Sequence, residues 1–116
     1  MNTTELGKQA EQVAAKYLQA HGYRILHTNW KTKQCEIDIV AQKGDCVSYI
    51  EVKYRATDIA GSGLDYITHR KKQQMDYAAR IWVQENQWNG AIALEAVEVA
   101  DAICRCPYTS QILTKD

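Results

Sequence analysis

Two carboxylates and one lysine lie on neighbouring stretches of sequence that both predict β-strands. The first stretch, residues 36–41, contains Asp38, and the second, residues 47–53, contains Glu51 and Lys53. Side chains alternate between the two faces of a strand, so Glu51 and Lys53 are expected to share a face. Two acids that hold a divalent cation beside a lysine form an arrangement suited to phosphodiester hydrolysis.

The turn between these strands determines how close the two acids come. A glycine-containing turn over residues 42–45 predicts an antiparallel hairpin. If Gln42 pairs with Asp45, Asp38 lies diagonal to Glu51, with their backbones roughly 7–8 Å apart. A register two residues different places Asp38 directly opposite Glu51. Both registers keep the acids on one face, whereas a one-residue bulge would separate them.

Neighbouring acids on a sheet repel each other unless a positive charge neutralises them. Hard oxygen ligands suit Mg²⁺ or Mn²⁺, and Lys53 is placed to orient a water or to stabilise charge on a phosphate. The alternative interpretation is a surface hairpin with a polar outer face, which is the commoner case for charged residues at this spacing. The spacing alone leaves both interpretations open.

The elements around the hairpin predict an α/β domain. The sequence predicts a helix over residues 2–21 that Gly22 ends, a strand over 23–28, a long helix over 65–85 and a strand over 91–99. Helices then cover a small mixed sheet, and the last connection makes a parallel strand pair. The apolar stripes of the two helices are Leu6, Ala10, Val13, Ala14, Tyr17 and Leu18, and Leu64, Ile67, Met75, Ala78 and Trp82.

Composition is that of one ordinary globular domain. The 116 residues are 46% hydrophobic and 24% charged with no net charge, which argues against non-specific coating of nucleic acid. No apolar run approaches the ~20 residues that span a bilayer, and the polar N-terminus is unlike a secretory signal, so we expect a cytoplasmic protein without membrane contact. The four cysteines match no common zinc spacing. The domain is expected over residues 1–100, and the order of the tail over 101–116 stays open.

Two runs of residues carry a resemblance to a known family. Residues 36–41 read E-I-D-I-V-A and residues 49–55 read Y-I-E-V-K-Y-R. These runs resemble the central motif of the PD-(D/E)xK nucleases and, more narrowly, are similar to the YraN-like bacterial proteins, in which an E-I-D strand precedes an E-V-K-x-R strand. The match covers roughly residues 7–82. It includes a similar opening helix and first strand, at Gly7, Glu11, Ala14, Tyr17, Leu18, Gly22, Tyr23, Ile25, Leu26 and Asn29.

The resemblance implies a restriction endonuclease-like αβββαβ core and a Mg²⁺-dependent endonuclease acting on DNA, with branched or damaged DNA among its substrates. Asp38 and Glu51 would bind Mg²⁺ or Mn²⁺ together with the Val52 carbonyl, and Lys53 would serve the attacking water. Glu11 matches an acidic residue that some relatives bring to the site, although its helical position also fits a solvated side chain. The alternative function is a binding module for nucleic acid or protein that has the nuclease fold without catalysis.

Three further residues are candidates for contact with nucleic acid. Trp30 is flanked by lysines and could stack on a base, and Arg55 belongs to the E-V-K-x-R motif. Lys71 lies inside the apolar stripe of the second helix, where its ammonium group either extends to solvent or reaches the acidic site or a phosphate. Resolvase relatives act as dimers, so the resemblance also raises a homodimer, which nothing in this sequence tests.

The chain departs from the family pattern at several positions. Ala10 and Cys35 stand where related sequences usually have glycine, and residues 91–95 read A-I-A-L-E in place of a strand with an arginine–phenylalanine–aspartate run. None of these changes touches Asp38, Glu51 or Lys53. They leave the shape of the site and its specificity open.

Overall fold

The structure is a computed structural model that describes residues 3–55, 68–100 and 103–113. Its helices are α1 (Thr3–Ala20) and α2 (His69–Asn86), and its strands are β1 (Arg24–Lys31), β2 (Glu36–Lys43), β3 (Cys46–Arg55), β4 (Ala91–Ala100) and β5 (Ile103–Leu113). The predicted αβββαβ order is therefore confirmed, and one more strand follows it.

The five strands form one mixed sheet in the order β1-β2-β3-β4-β5. β3 and β4 are parallel, as the helical connection between them predicts, and the other neighbouring pairs are antiparallel. The ladder between β3 and β4 runs without a break from Cys46–Ala91 to Arg55–Ala100. β3 is therefore held along its whole length by β4, whichever partner lies on its other side.

The helices cover opposite faces of the sheet, and each face has its own apolar cluster. On the α1 side, Ala10, Ala14 and Leu18 pack on the sheet, which confirms the predicted stripe of that helix. On the α2 side, Met75 and Trp82 pack against sheet residues that include Tyr49. The buried residues that face α1 are Ile39, Ala41, Ile50, Val97 and Val99, and those that face α2 are Cys35, Ile37, Val40, Val47, Tyr49, Ile92 and Leu94.

The helix ends follow local capping rules. Gly22 has a φ of 90° just after α1, where the Tyr23 N–H donates to the Leu18 carbonyl at 2.9 Å. α2 begins at His69, later than predicted, because the Thr68 hydroxyl caps it by accepting from the Lys71 N–H at 3.1 Å. The predicted stripe residues Leu64 and Ile67 lie outside the described residues. No helix in the described ranges is long and apolar enough to cross a membrane.

The strand β5 was not predicted, and Pro107 explains why. Proline lacks an N–H and is found in strands mainly at sheet edges and at irregularities. β5 is the edge strand next to β4, and its register shifts between the pairs Ala96–Tyr108 and Glu98–Arg105, the interval that contains Pro107. The proline therefore sits where the ladder is already interrupted.

Candidate active site

The register of the β2–β3 hairpin differs by two residues from the first one considered. Gln42 pairs with Val47, and only Gly44 and Asp45 lie between the paired strand ends. Gly44 has a φ of 59°, a conformation that glycine adopts without the steric penalty of other residues. Of the two registers left open by the sequence, the second one is therefore present, and Gln42 does not pair with Asp45.

Asp38 lies where β2 and β3 stop pairing. The ladder ends at the pair Ile39–Ile50, and its continuation by one residue would place Asp38 opposite Glu51. The Val52 N–H instead donates to the Asp38 carboxylate at Oδ2, at 2.8 Å. A side-chain acceptor thus replaces the next main-chain bond, which keeps the Asp38 carboxylate against the strand that carries Glu51.

The alternation of faces along β2 breaks at the same point. Ile39 and Ala41 belong to the α1-side cluster, but Ile37 packs with Val40 in the α2-side cluster. Strict alternation over residues 36–41 predicts that Ile37 shares a face with Ile39, and for Ile37 this prediction is wrong. The segment before Ile39 pairs only with β1, so the β3 ladder no longer fixes its rotation.

Glu51 has two cationic partners. Lys53 Nζ lies 3.2 Å from Glu51 Oε2, and Lys71 Nζ lies 3.5 Å from Oε1. The Glu51 side chain is only 12% exposed, whereas Lys53 and Lys71 are 35% and 27% exposed. Of the two alternatives for Lys71, contact with the acidic site is the one that the structure contains. The partly buried carboxylate is compensated from β3 itself and from the first turn of α2.

The Asp38 carboxyl has a perturbed acidity. Its pKa is raised to about 6, chiefly by burial; the Val52 N–H lowers it, and the nearby charges of Glu51, Glu11 and Glu36 raise it. Asp38 therefore ionises close to neutral pH. A perturbed carboxyl beside a second acid is typical of a functional site.

Lys71 and Cys35 complete the surroundings of the acid pair. Burial alone would lower the pKa of Lys71, but Glu51 and other nearby groups outweigh it, so the pKa is raised and the ammonium stays charged. Burial raises the pKa of the Cys35 thiol, which also responds to Lys71, Glu51 and Asp38. In the sequence, Cys35 stands out only as a departure from the family pattern. Its position directly before the strand that carries Asp38 was the available signal.

Glu11 lies on α1, half-buried at a separate opening. It lines a cleft of about 260 Å³ between α1 and β1, together with Lys8, Gln12, Ala15, Thr28 and Asn29. Its charge contributes to the raised pKa of Asp38. The structure thus places Glu11 within electrostatic reach of the acid pair, and no contact with Asp38 is present among the described side chains.

The structure describes the side chains of Trp30 and Trp82 but not that of Arg55. Trp30 is half-buried and packs against the α2-side cluster, so part of its surface serves the core. Trp82 is buried at 5% exposure, in agreement with its predicted core role. Arg55 is the last residue of β3, but its side chain lies outside the described part of the chain. Contacts of Trp30 and Arg55 with nucleic acid stay predictions.

The sequence has many relatives with the same family description. Residues 10–104 match the sequence profile of the "Uncharacterised protein family UPF0102". A UPF0102 protein of Leifsonia xyli is 37% identical over 99 residues, which cover 84% of each chain. One from Sulfurihydrogenibium is 38% identical over 90 residues and 78% of each chain. One from Mycolicibacterium vanbaalenii is 34% identical over 110 residues, which cover 93% of this chain and 90% of the relative.

Proposed function

The chain belongs to the UPF0102 family, which is part of the restriction endonuclease-like superfamily, and on this premise we propose that it is a divalent-metal-dependent endonuclease that hydrolyses phosphodiester bonds in DNA. The observation that carries the proposal is that Asp38 accepts from the Val52 N–H, the residue between Glu51 and Lys53, while Lys53 Nζ lies 3.2 Å from Glu51, where β2 and β3 stop pairing. Branched and damaged DNA are the substrate forms to test first. We place the activity in the cytoplasm.

The donor atoms at the site fit Mg²⁺ or Mn²⁺. Asp38 and Glu51 supply carboxylate oxygens, and the main-chain carbonyl of Val52 lies between the Glu51 and Lys53 positions. No three His, Cys, Asp or Glu side chains converge within the described ranges, so water would complete the coordination shell, as is usual for Mg²⁺. The raised pKa of Asp38 supports the fit, because a bound cation would relieve the unfavourable ionisation beside Glu51.

A cation at this position would supply Lewis-acid stabilisation of negative charge on the phosphate. Asp38 must be ionised to act as a ligand, so its side chain is competent above about pH 6. Lys53 is held by Glu51 at 3.2 Å, which fixes its ammonium next to the acid pair. From there Lys53 can donate to the attacking water or to a phosphate oxygen. Glu11 adds negative potential at Asp38 from α1. We expect Glu11 to affect the reaction less than Asp38, Glu51 and Lys53 do.

One observation favours a second candidate, a binding module without catalysis. Glu51 already has lysine partners at both carboxylate oxygens, so this acid is neutralised without a metal. A protein that only holds nucleic acid would need no more than this. Binding that persists when divalent metal is removed, with no cutting under any condition, would support this candidate over the nuclease.

The test is cleavage of labelled single-stranded, duplex, flap and four-way-junction DNA in Mg²⁺ or Mn²⁺. Wild type is compared with Asp38→Ala and Lys53→Ala, and we expect both substitutions to lower the cleavage rate by at least a hundredfold. The matched controls are Glu85→Ala and Lys16→Ala, which change exposed acidic and basic residues elsewhere. They should cut as wild type does.

Each outcome bears on the proposal. Cutting by wild type and controls, lost in both site variants, supports a nuclease that uses this cluster. Equal cutting by every variant would identify a contaminant and leave the proposal without support. No cutting of any substrate, combined with metal-independent DNA binding, would replace it by the binding module.

A further inference from the structure

Lys71 occupies a position that a bound cation would have to share. Its Nζ is 3.5 Å from Glu51 Oε1, while Lys53 contacts the other oxygen, Oε2, at 3.2 Å. Both oxygens of the carboxylate therefore have an ammonium partner. When Asp38 is also ionised, two acids and two lysines balance, and the cluster has no net charge before any metal is present.

A divalent cation on Glu51 would lie only a few ångströms from these ammonium groups. Like charges at about 4 Å repel strongly in a site of limited solvent access. One lysine must therefore move or lose its contact when Glu51 takes a cation. A cluster that has gained two positive charges then attracts a phosphate, although Glu11 and Glu36 offset part of the added charge.

Lys71 is the lysine that can leave. Lys53 lies two residues from Glu51 on the same strand and the same sheet face, so their relative positions are fixed by β3. Lys71 reaches Glu51 from another element, the first turn of α2, through a long side chain that is 27% exposed. Solvent reaches both lysines, but Lys71 is joined to the acid pair only through side-chain contacts, with Glu51 and with the Cys35 thiol.

We propose that Lys71 is an internal counter-cation that holds Glu51 in the metal-free protein, is released when Glu51 binds the metal, and then binds a phosphate of the DNA backbone. This inference rests on the proposed function and adds a coupling to it. Metal binding is weakened while Lys71 remains on Glu51, and the phosphate offsets this by giving Lys71 a new partner. The site is therefore loaded with metal most readily when DNA is present.

The test measures Mn²⁺ affinity by isothermal titration calorimetry at pH 8 without DNA. Lys71→Gln removes the competing charge, so we expect it to bind Mn²⁺ roughly two- to fivefold more tightly than wild type, the range of a partly exposed ion pair. Lys71→Arg keeps the positive charge and should bind as weakly as wild type. Lys72→Gln is the matched control, since Lys72 is the next residue of α2 and lines a groove with Asp76 and Arg80 on another side of the helix.

A second readout is the steady-state cleavage of DNA by the same variants. Lys71→Gln should raise KM severalfold with a smaller effect on kcat at saturating metal, because the phosphate has lost a partner while Lys53 is intact. A merely structural role for Lys71 would not tighten Mn²⁺ binding. Circular dichroism of each variant confirms that it is folded before titration.

The outcomes separate this inference from the nuclease proposal. Equal or weaker Mn²⁺ binding by Lys71→Gln overturns the inference, while wild-type Mn²⁺ binding and cleavage leave the nuclease standing. Tighter binding by Lys72→Gln to the same degree also overturns it, because the effect would then be general electrostatics. Absence of Mn²⁺ binding in every variant, Lys71→Gln included, overturns the inference, and the cleavage assay then decides the nuclease proposal by itself.

Discussion

Asp38→Asn should stabilise the metal-free protein at alkaline pH. The Asp38 pKa is raised from 3.8 to about 6, chiefly by burial, so the folded protein binds a proton more tightly than the unfolded chain does. This group's contribution to stability is fully present below pH 3.8 and is lost as the pH rises through about 6. Asparagine does not ionise, so the variant avoids that loss, and its side-chain oxygen can still accept from the Val52 N–H.

The size of the effect follows from the shift itself. A change from 3.8 to about 6 corresponds to about 3 kcal/mol at ~1.4 kcal/mol for each pKa unit. Asp38 is half-buried, so solvent screening reduces this, and we expect a gain of about 2 kcal/mol at pH 8. For a domain of this size the gain corresponds to a rise in Tm of roughly 8 °C.

The assay is urea unfolding in EDTA at pH values from 5 to 8, followed by tryptophan fluorescence. The quantity of interest is the difference in unfolding free energy between Asp38→Asn and wild type, since other groups that titrate alike in both proteins cancel. This difference should be smallest at pH 5 and grow to pH 8. Glu85→Gln, an exposed acid on α2, should show no such trend.

Two results would refute the reasoning. A variant less stable than wild type at pH 8 would mean that the Asp38 charge is favourable in the fold, so that its interaction with the Val52 N–H outweighs burial. A difference that does not change between pH 5 and pH 8 would mean that Asp38 ionises as in the unfolded chain. Either result would also weaken the inference that ionisation of Asp38 beside Glu51 is unfavourable until a cation binds.

Three further predictions concern the same fold. Saturating Mn²⁺ should raise the Tm of wild type at pH 8 but progressively less below pH 6, where Asp38 takes up a proton, and it should not change the Tm of Asp38→Asn. Tyr49→Phe should leave stability unchanged or raise it by about 1 kcal/mol in urea unfolding, because the buried Tyr49 hydroxyl has no hydrogen-bond partner in the described structure; a large loss would reveal one. Gly90→Ala should cost about 1–3 kcal/mol, because its Cβ would collide with the Asp45 carbonyl oxygen, and an unchanged urea midpoint would contradict this.

The helices and the sheet could be predicted because the residues that an element buries recur at a regular spacing in the sequence. Ala10, Ala14 and Leu18 recur on one face of α1, and they are the residues that pack on the sheet. Tyr49 and Glu51 alternate with Ile50 along β3, and this alternation survives in the structure because β4 holds β3 throughout. Where β2 stops pairing with β3, at Asp38, the alternation of faces along β2 fails. Simple alternation in the sequence therefore assigns Ile37 to the wrong face of the sheet.

Register and strand number depended on features that the pattern does not encode. The two-residue turn at Gly44 and Asp45 gives a register two positions from the first one considered, although the parity of the faces is unchanged over the paired residues 39–43. β5 escaped prediction because Pro107 is unfavourable in a central strand, and only the neighbouring β4 makes this segment an edge strand.

The sequence by itself determined which residue types could do the chemistry, since Asp38, Glu51 and Lys53 follow from two adjacent strands and a turn. Only the tertiary structure decided their electrostatic state. Lys71 follows Lys53 by 18 residues in the sequence and reaches Glu51 because α2, which carries Lys71, packs back on the sheet. The perturbed pKa of Asp38 arises from burial and from charges on other elements. Charge interactions and solvent exclusion act through space, and chain spacing alone does not contain the distances on which they depend.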